Sequence, residues 1–191
     1  MKLLQVDSSI LGDNSASRAV TKEIVARFRH AVPGLHVEHL DLAIHALPHF
    51  SGQSLTPGSE AANHDARILE QFQSADVLVI GAPMYNFALP SQLKAWIDRI
   101  VVAGKTFRYG PNGPEGLAAG KRAIVAVSRG GVYPENAAAE HAESYLKIVL
   151  GFIGITDVTF VRAEGLALGP EHRQKGLDAA LAHAKALALA A

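Results

Sequence analysis

Apolar residues in this sequence fall into two patterns, short uninterrupted runs and longer stretches with helical spacing. The run Val-Leu-Val-Ile at 77–80 has no polar interruption, which is typical of a central parallel strand that is buried on both faces. We expect this strand to end at 81–83, because Pro83 cannot donate to a sheet ladder and holds the preceding residue extended. Around Pro90, apolar residues recur at 89, 93, 96, 97, 100 and 101, a spacing that predicts a helix with proline in its first turn.

The same succession of strand and helix extends along the whole chain. The stretch 103–120 contains five glycines and two prolines, so it is predicted to form a long structured loop. The further predicted elements are strands at 2–7, 36–42, 122–128 and 157–162, helices that begin at Ser15 and Pro170, a helix that ends near Gln73 and a helix at 137–150.

Strict alternation of strands and helices predicts a doubly wound α/β fold, in which one five-stranded parallel sheet has helices on both faces. The length of 191 residues suits a single domain over 1–191. Ligands of such sheets bind at the carboxyl ends of the strands. Three chemically unusual loops follow the first, third and fourth predicted strands, and we name them the first loop (8–18), the second loop (84–87) and the third loop (128–133).

Composition excludes several classes of function. Eighteen basic and eighteen acidic residues give a formal net charge of zero, so neither nucleic acid nor an anionic membrane is an expected partner. The absence of cysteine excludes disulfides, thiolate zinc sites and a cysteine nucleophile, and no histidine lies in a metal-binding motif. The apolar run at 1–6 is short for a signal peptide. A soluble cytoplasmic protein without a bound metal is the resulting expectation.

The first loop leads into a predicted helix whose N-terminus favours an anion. Ser9, Ser15 and Ser17 supply hydroxyl groups there, and the alternative is that they only cap the helix. The sequence has neither a Walker loop nor the three spaced glycines of a dinucleotide site. A mononucleotide is therefore favoured over a permanently bound dinucleotide.

The second and third loops have the character of a flat, polar-edged ligand site. Apolar and aromatic side chains beside an amide suit such a ligand, although they could equally plug the end of the sheet. Paired glycines allow backbone N-H groups to approach a ligand closely, although they also form ordinary turns. The residues concerned are Met84, Tyr85, Asn86 and Phe87 in the second loop, and Ser128, Arg129, Gly130 and Gly131 in the third.

The sequence around the second loop resembles the FMN-contacting segment of the bacterial FMN-dependent NADH:azoreductases, within the flavodoxin-like NAD(P)H:quinone reductases. This resemblance covers nearly the whole chain and implies a flavodoxin-like sheet with strand order 2-1-3-4-5. Its matching segments are 82–87, 92–94, 104–109, 113–117, 128–131 and 151–155.

The resemblance implies an enzyme that binds FMN without a covalent bond and uses NADH or NADPH to reduce quinones and azo compounds by a ping-pong mechanism. It assigns Ser9, Ser15, Ala16 and Ser17 to the FMN phosphate, 84–87 to the ring edge and 128–131 to the pyrimidine edge, with no side chain as obligatory acid or base. Ala16 stands where the family often has glutamine, Tyr133 where several members have histidine, and 45–64 is shorter than in longer members. The alternative is a non-catalytic electron carrier like flavodoxin.

A homodimer with the active site at its interface is also expected. The predicted helices at 90–103 and 137–150 carry broad apolar stripes, and both follow strands whose loops hold the expected flavin. The family resemblance contributes more to this expectation than the periodicity does.

Overall fold

The structure of the protein is a computed structural model that describes residues 1–134 and 137–188. Its strands, in chain order, are β1 (Lys2–Asp7), β2 (His36–Asp41), β3 (Val77–Pro83), β4 (Phe107–Gly110), β5 (Gly113–Gly116), β6 (Arg122–Ser128) and β7 (Asp157–Ala163). Its α-helices are α1 (Ala16–Ala31), α2 (Glu60–Ser74), α3 (Ser91–Ile100), α4 (Ala142–Phe152) and α5 (Pro170–Ala186), and short 3-10 turns occur at Gly12–Asn14 and Gly52–Leu55.

Five of the described strands form one parallel sheet in the order β2-β1-β3-β6-β7. Counted by position in this sheet, this is the predicted order 2-1-3-4-5, so the predicted fold is confirmed. β2 is an edge strand, as its mixed burial pattern requires. The strand order reverses between β1 and β3, and at such a point the carboxyl ends of the two strands open a crevice.

The central strand β3 is buried on both faces, as its uninterrupted apolar run predicts. Leu78 and Ile80 belong to a core formed with α2, α3 and α4, whereas Val77 and Val79 belong to a second core formed with α1 and α5. Because side chains alternate along a strand, neighbouring residues of β3 hold opposite layers of helices on the sheet.

One predicted boundary is confirmed and another is wrong. β3 ends at Pro83, within the predicted 81–83, and Pro83 pairs with Ser128 at the end of β6. The helix predicted at 137–150 begins only at Ala142, because the carboxylate of Glu140 accepts the N-H groups of Ala142 and Glu143 at 3.1 and 2.8 Å and so caps the helix there.

The stretch 103–120 contains an antiparallel hairpin of β4 and β5, which the sequence indicated only as a structured loop. Arg108 and Glu115 form a two-point ion pair across it, with Nε to Oε2 at 2.8 Å and Nη2 to Oε1 at 3.0 Å. At the base of the hairpin, a Cβ on Gly116 would lie 2.2 Å from the backbone nitrogen of Gly154. The hairpin therefore sits backbone to backbone on the turn after α4.

Candidate functional site

The three loops meet at the carboxyl edge of the sheet. The Ser9 hydroxyl lies 3.2 Å from the Tyr85 hydroxyl, which joins the first loop to the second. The N-H group of Met84 donates to the carbonyl of Ser128 at 2.8 Å, which joins the second loop to the third. Residues predicted separately from the sequence therefore form one connected rim.

Serine hydroxyls surround the N-terminus of α1. Ser15 is the N-cap, its hydroxyl accepts the N-H group of Arg18 at 3.3 Å, and it lies 3.1 Å from the hydroxyl of Ser17. The N-H group of Ala19 bonds to the Ser15 carbonyl. Among the described residues, Ala16 and Ser17 are then the first-turn positions whose N-H groups find no protein acceptor. Helix capping and anion binding are compatible here. Capping uses the N-H group of Arg18, whereas the N-H groups of Ala16 and Ser17 remain for an anion.

The first loop is fixed by an ion pair that sequence reasoning missed. The Arg18 guanidinium donates to the Ser9 carbonyl from Nη2 at 2.8 Å and to Oδ1 of Asp41 from Nη2 at 2.7 Å. The hydrogen bond from Arg18 lowers the pKa of the Asp41 carboxyl below its ordinary value, despite the opposing effect of burial. The available signal was that Asp41 ends the neighbouring strand at the same edge of the sheet.

A buried carboxylate lies directly beneath this rim. Asp7, at the end of β1, accepts hydrogen bonds from Thr21 Oγ1 at 2.8 Å and Gln5 Nε2 at 2.7 Å, and lies 2.9 Å from His39 Nε2. A Cβ on Gly81 would lie 2.6 Å from Oδ1 of Asp7. Gly81 therefore makes room for this carboxylate between β1 and β3.

The second loop contains a tight turn with unusual backbone angles. Asn86 has φ of 48° and Phe87 has φ of 69°, and reciprocal hydrogen bonds of 2.9 and 3.0 Å between Tyr85 and Ala88 close the turn. Asparagine adopts this left-handed region readily, whereas phenylalanine does so at a cost of about 1–3 kcal/mol. Phe87 is 52% exposed. Strain that holds an aromatic side chain at the surface indicates a functional position.

In the third loop, the Arg129 side chain points away from solvent and into a cluster of carboxylates. This side chain is 3% exposed, with Nη2 2.7 Å from Oε2 of Glu143 and Nη1 3.2 Å from Oε1 of Glu164. We therefore expect Arg129 to support the site through the turn that it anchors, and the assignment of this residue to a cofactor stays a prediction.

The glycine pair of the third loop is held from one side. The carbonyl groups of Gly130 and Gly131 accept the N-H groups of Ala167 and Gly165 at 3.0 and 2.9 Å. In the described part of the chain, the N-H groups of both glycines have no protein acceptor. They are the donors that the sequence predicted for a ligand edge.

Glu143 is the most perturbed acid of this region. Burial of its carboxyl opposes ionisation, but hydrogen bonds from Arg162 and Lys147 outweigh that effect and lower the pKa of Glu143 from 4.5 to about 2. The carboxylate is therefore ionised at neutral pH and holds α4 against β7.

The sequence profile of the flavodoxin-like fold matches residues 1–188. The chain belongs to this family. Among curated members of the flavodoxin-like family, the FMN-dependent NADH:quinone oxidoreductase 2 of Bradyrhizobium diazoefficiens is 54% identical over 98% of both chains. The FMN-dependent NADH:quinone oxidoreductase of Stenotrophomonas maltophilia is 51% identical over 95% of this chain and 93% of its own.

Solved structures of the flavodoxin-like family share the architecture over nearly the full length. The azoreductase AzrA superposes with a TM-score of 0.87 at 30% identity, covering 96% of this chain and 97% of that one. An FMN-dependent NADH-azoreductase of Bacillus anthracis, crystallised with FMN, superposes with a TM-score of 0.85 at 28% identity, covering 96% and 97%.

Two negative observations apply to residues 1–134 and 137–188. Within these ranges, His, Asp and Glu side chains nowhere gather in the threes that a metal site would need. The helices there also lack the combination of length and hydropathy with which a helix crosses a bilayer.

Proposed function

We propose that the protein is an FMN-dependent oxidoreductase that uses NADH to reduce quinones. The observation that carries this proposal is the meeting of three loops at one edge of the sheet, joined by Ser9 to Tyr85 and by Met84 to Ser128. Relatives that are more than half identical over almost the whole chain are FMN-dependent NADH:quinone oxidoreductases. The same relatives disfavour the alternative of a non-catalytic electron carrier.

The described residues fit FMN at both of its polar ends. The N-terminus of α1 offers the N-H groups of Ala16 and Ser17 and the hydroxyls of Ser9, Ser15 and Ser17, which suit a phosphate. The glycine N-H groups of the third loop suit the pyrimidine edge, where a reduced flavin accumulates negative charge. Residues 84–87 would then border the ring.

Bound FMN would supply the redox chemistry, accepting a hydride from the nicotinamide and passing it to the acceptor. The protein's part is to orient and to stabilise charge. The hydroxyl of Tyr85 would hold the first loop in place, the turn at 86–87 would keep Phe87 exposed at the rim, and the third loop would donate hydrogen bonds. The proposal assigns proton transfer to none of the described side chains.

The assignment of FMN is tested on purified protein. We expect a yellow protein that releases FMN on acid treatment and consumes NADH with a quinone as acceptor. Release of FAD, or no flavin uptake by the apoprotein, would contradict the proposal. A parallel scan with NADPH determines which nicotinamide donor is preferred.

We further propose that azo compounds are substrates and that turnover is ping-pong. Nicotinamide and acceptor would use the same exposed side of the site, so the first product must leave before the second substrate enters. Parallel initial-rate plots are expected, whereas intersecting plots would indicate a ternary complex. Because cleavage of an azo bond to two amines takes four electrons, about two NADH should be consumed per dye cleaved, and a ratio near one would contradict full cleavage.

A homodimer with a shared site is also part of the proposal. The residues that support it in the structure are not those of the α3 stripe from which the sequence predicts it. Trp96 and Ile100 of α3 are buried in the core of this chain at 0% and 1% exposure, so the α3 stripe does not face a partner. Exposed apolar residues on α4 and on the hairpin support the proposal instead, namely Ile148 at 73% and Tyr109 at 76% exposure. The cytoplasmic location expected from the sequence stays a prediction.

A further inference from the structure

We propose that Glu164 is a positioning residue that fixes the geometry of the Gly130-Gly131 turn and thereby the affinity and reduction potential of the flavin. This inference rests on the proposed function, because the turn must face the flavin. It concerns a residue outside all three predicted loops, in the segment that follows β7.

One oxygen of Glu164 ties together the two ends of the turn. Oε1 accepts a hydrogen bond from Nη1 of Arg129 at 3.2 Å and another from the backbone N-H group of Tyr133 at 3.2 Å. Arg129 directly precedes the glycine pair, and Tyr133 follows it by two residues. A flexible pair of glycines is thus held at both ends by a single carboxylate, which limits the conformations that the pair would otherwise sample.

Glu164 is itself fixed by close packing. A Cβ on Gly176 would lie 2.0 Å from the carbonyl oxygen of Glu164, so α5 contacts the backbone of Glu164 directly. The next residue, Gly165, has φ of 71° and donates its N-H group to the Gly131 carbonyl at 2.9 Å. The segment around Glu164 is therefore a rigid support against which the turn is held.

Glu164 also balances charge beside the turn. The cluster around Arg129 contains three cations and three carboxylates among the described residues, namely Arg129, Lys147 and Arg162 with Glu140, Glu143 and Glu164. Neutralising Glu164 removes one negative charge from beside the glycine N-H groups. Because a reduced flavin accumulates negative charge, the loss of a nearby carboxylate stabilises the reduced form and raises the reduction potential.

Two substitutions separate the mechanical role from the electrostatic one. In Glu164→Gln the amide oxygen still accepts hydrogen bonds, so the turn stays held while the charge is lost. In Glu164→Ala the charge and both hydrogen bonds are lost. A hydrogen bond to a carboxylate is strong enough that losing one could change the affinity for FMN about tenfold or more. Glu70→Ala on the exposed face of α2 is the matched control, since it removes the same side chain far from the turn.

The experiment measures three quantities: amide hydrogen exchange at 129–133 in the apoprotein, the FMN dissociation constant by flavin fluorescence, and the reduction potential of the bound flavin. For Glu164→Ala we expect faster exchange at 129–133 and FMN binding weakened about tenfold or more. For Glu164→Gln we expect exchange close to that of the parent protein, affinity within about threefold and a more positive potential.

Unchanged exchange or unchanged FMN affinity in a folded Glu164→Ala protein would overturn the proposal. If that variant does not fold, an unchanged potential in Glu164→Gln does the same. Failure of the proposed function looks different, because the parent protein would then bind no FMN.

Discussion

The hydroxyl of Tyr85 lies 3.2 Å from the hydroxyl of Ser9, although the two residues are 76 positions apart in the chain. The same hydroxyl accepts the N-H group of Ile10 at 3.2 Å. One phenol group thus fixes the loop after β1 to the loop after β3, across the crevice where the flavin is proposed to bind.

Replacing Tyr85 by Phe should weaken FMN binding. The ring stays, but two hydrogen bonds that hold the first loop are lost, at about 1 kcal/mol each. We expect the dissociation constant of FMN to rise about fivefold to thirtyfold, measured by titration of apoprotein. Ser74→Ala, which removes a hydroxyl at the C-terminal end of α2, next to the opposite edge of the sheet, should bind FMN as the parent protein does. Equal affinities in both variants would show that the link is dispensable.

Gly131→Val should lower FMN affinity without unfolding the chain. A Cβ at Gly131 meets the Tyr133 ring at 3.4 Å, which is an ordinary contact, so the turn itself has room for a Cβ atom. The added methyl groups should instead crowd a ligand that approaches the turn. We expect a thermal midpoint close to that of the parent apoprotein and weaker flavin binding. Gly151→Ala, where a Cβ meets nothing within 4 Å, is the control, and unchanged FMN affinity in Gly131→Val would favour an ordinary turn.

Ile148→Glu should dissociate the proposed homodimer and leave the fold intact. The Ile148 side chain is 73% exposed on α4, so a carboxylate there costs the single chain little but would be buried without a partner in an interface. Sedimentation at micromolar concentration measures the change. Ile44→Glu is a matched control, because Ile44 is 72% exposed outside α4 and the hairpin. A parent protein that sediments as a fully active monomer would contradict the shared site.

Acid should unfold the protein partly through Glu143. The folded-state pKa of Glu143 is lowered from 4.5 to about 2, so its stabilising effect is complete above pH 4.5 and is lost as the pH falls towards 2. The shift corresponds to up to about 3 kcal/mol. Glu143→Gln should therefore lower the free energy of unfolding at pH 7 and reduce its decline between pH 4.5 and 2. Urea denaturation at several pH values measures both effects, with Glu70→Gln as the exposed control. If the free energy of unfolding has the same pH dependence in the parent protein and in both variants, Glu143 does not contribute to acid unfolding.

The sequence predicted those features that depend on periodicity. The uninterrupted run at 77–80 indicated a strand buried on both faces, and Leu78 and Val79 do pack into opposite cores. The position of the site followed from the topology, since the carboxyl ends of parallel strands share one edge. The loops that the structure joins through Ser9 and Tyr85 could therefore be grouped before any distance was known.

Features that depend on long-range side-chain contacts could not be predicted in this way. Helix α4 starts late because the Glu140 carboxylate caps it, and 137–141 have no pattern that distinguishes a cap from a first turn. The pairing of Arg18 with Asp41 and the grip of Glu164 on the third loop join residues that are far apart in sequence. The apolar stripe of helix α3 predicts an interface, although its residues are buried in the core. Burial in the core and burial against a partner produce the same apolar pattern in the sequence, so the two cannot be distinguished from it.

The contact between Gly116 and Gly154 divides the hairpin into two parts with different freedom to evolve. Any side chain at Gly116 would overlap the backbone of Gly154, so this position at the base can accept almost no change in sequence. The tip, where Tyr109 is exposed and 111–112 form the turn, carries no such constraint. Sequence changes at the tip would therefore alter the surface that the hairpin exposes and leave the fold beneath it unchanged.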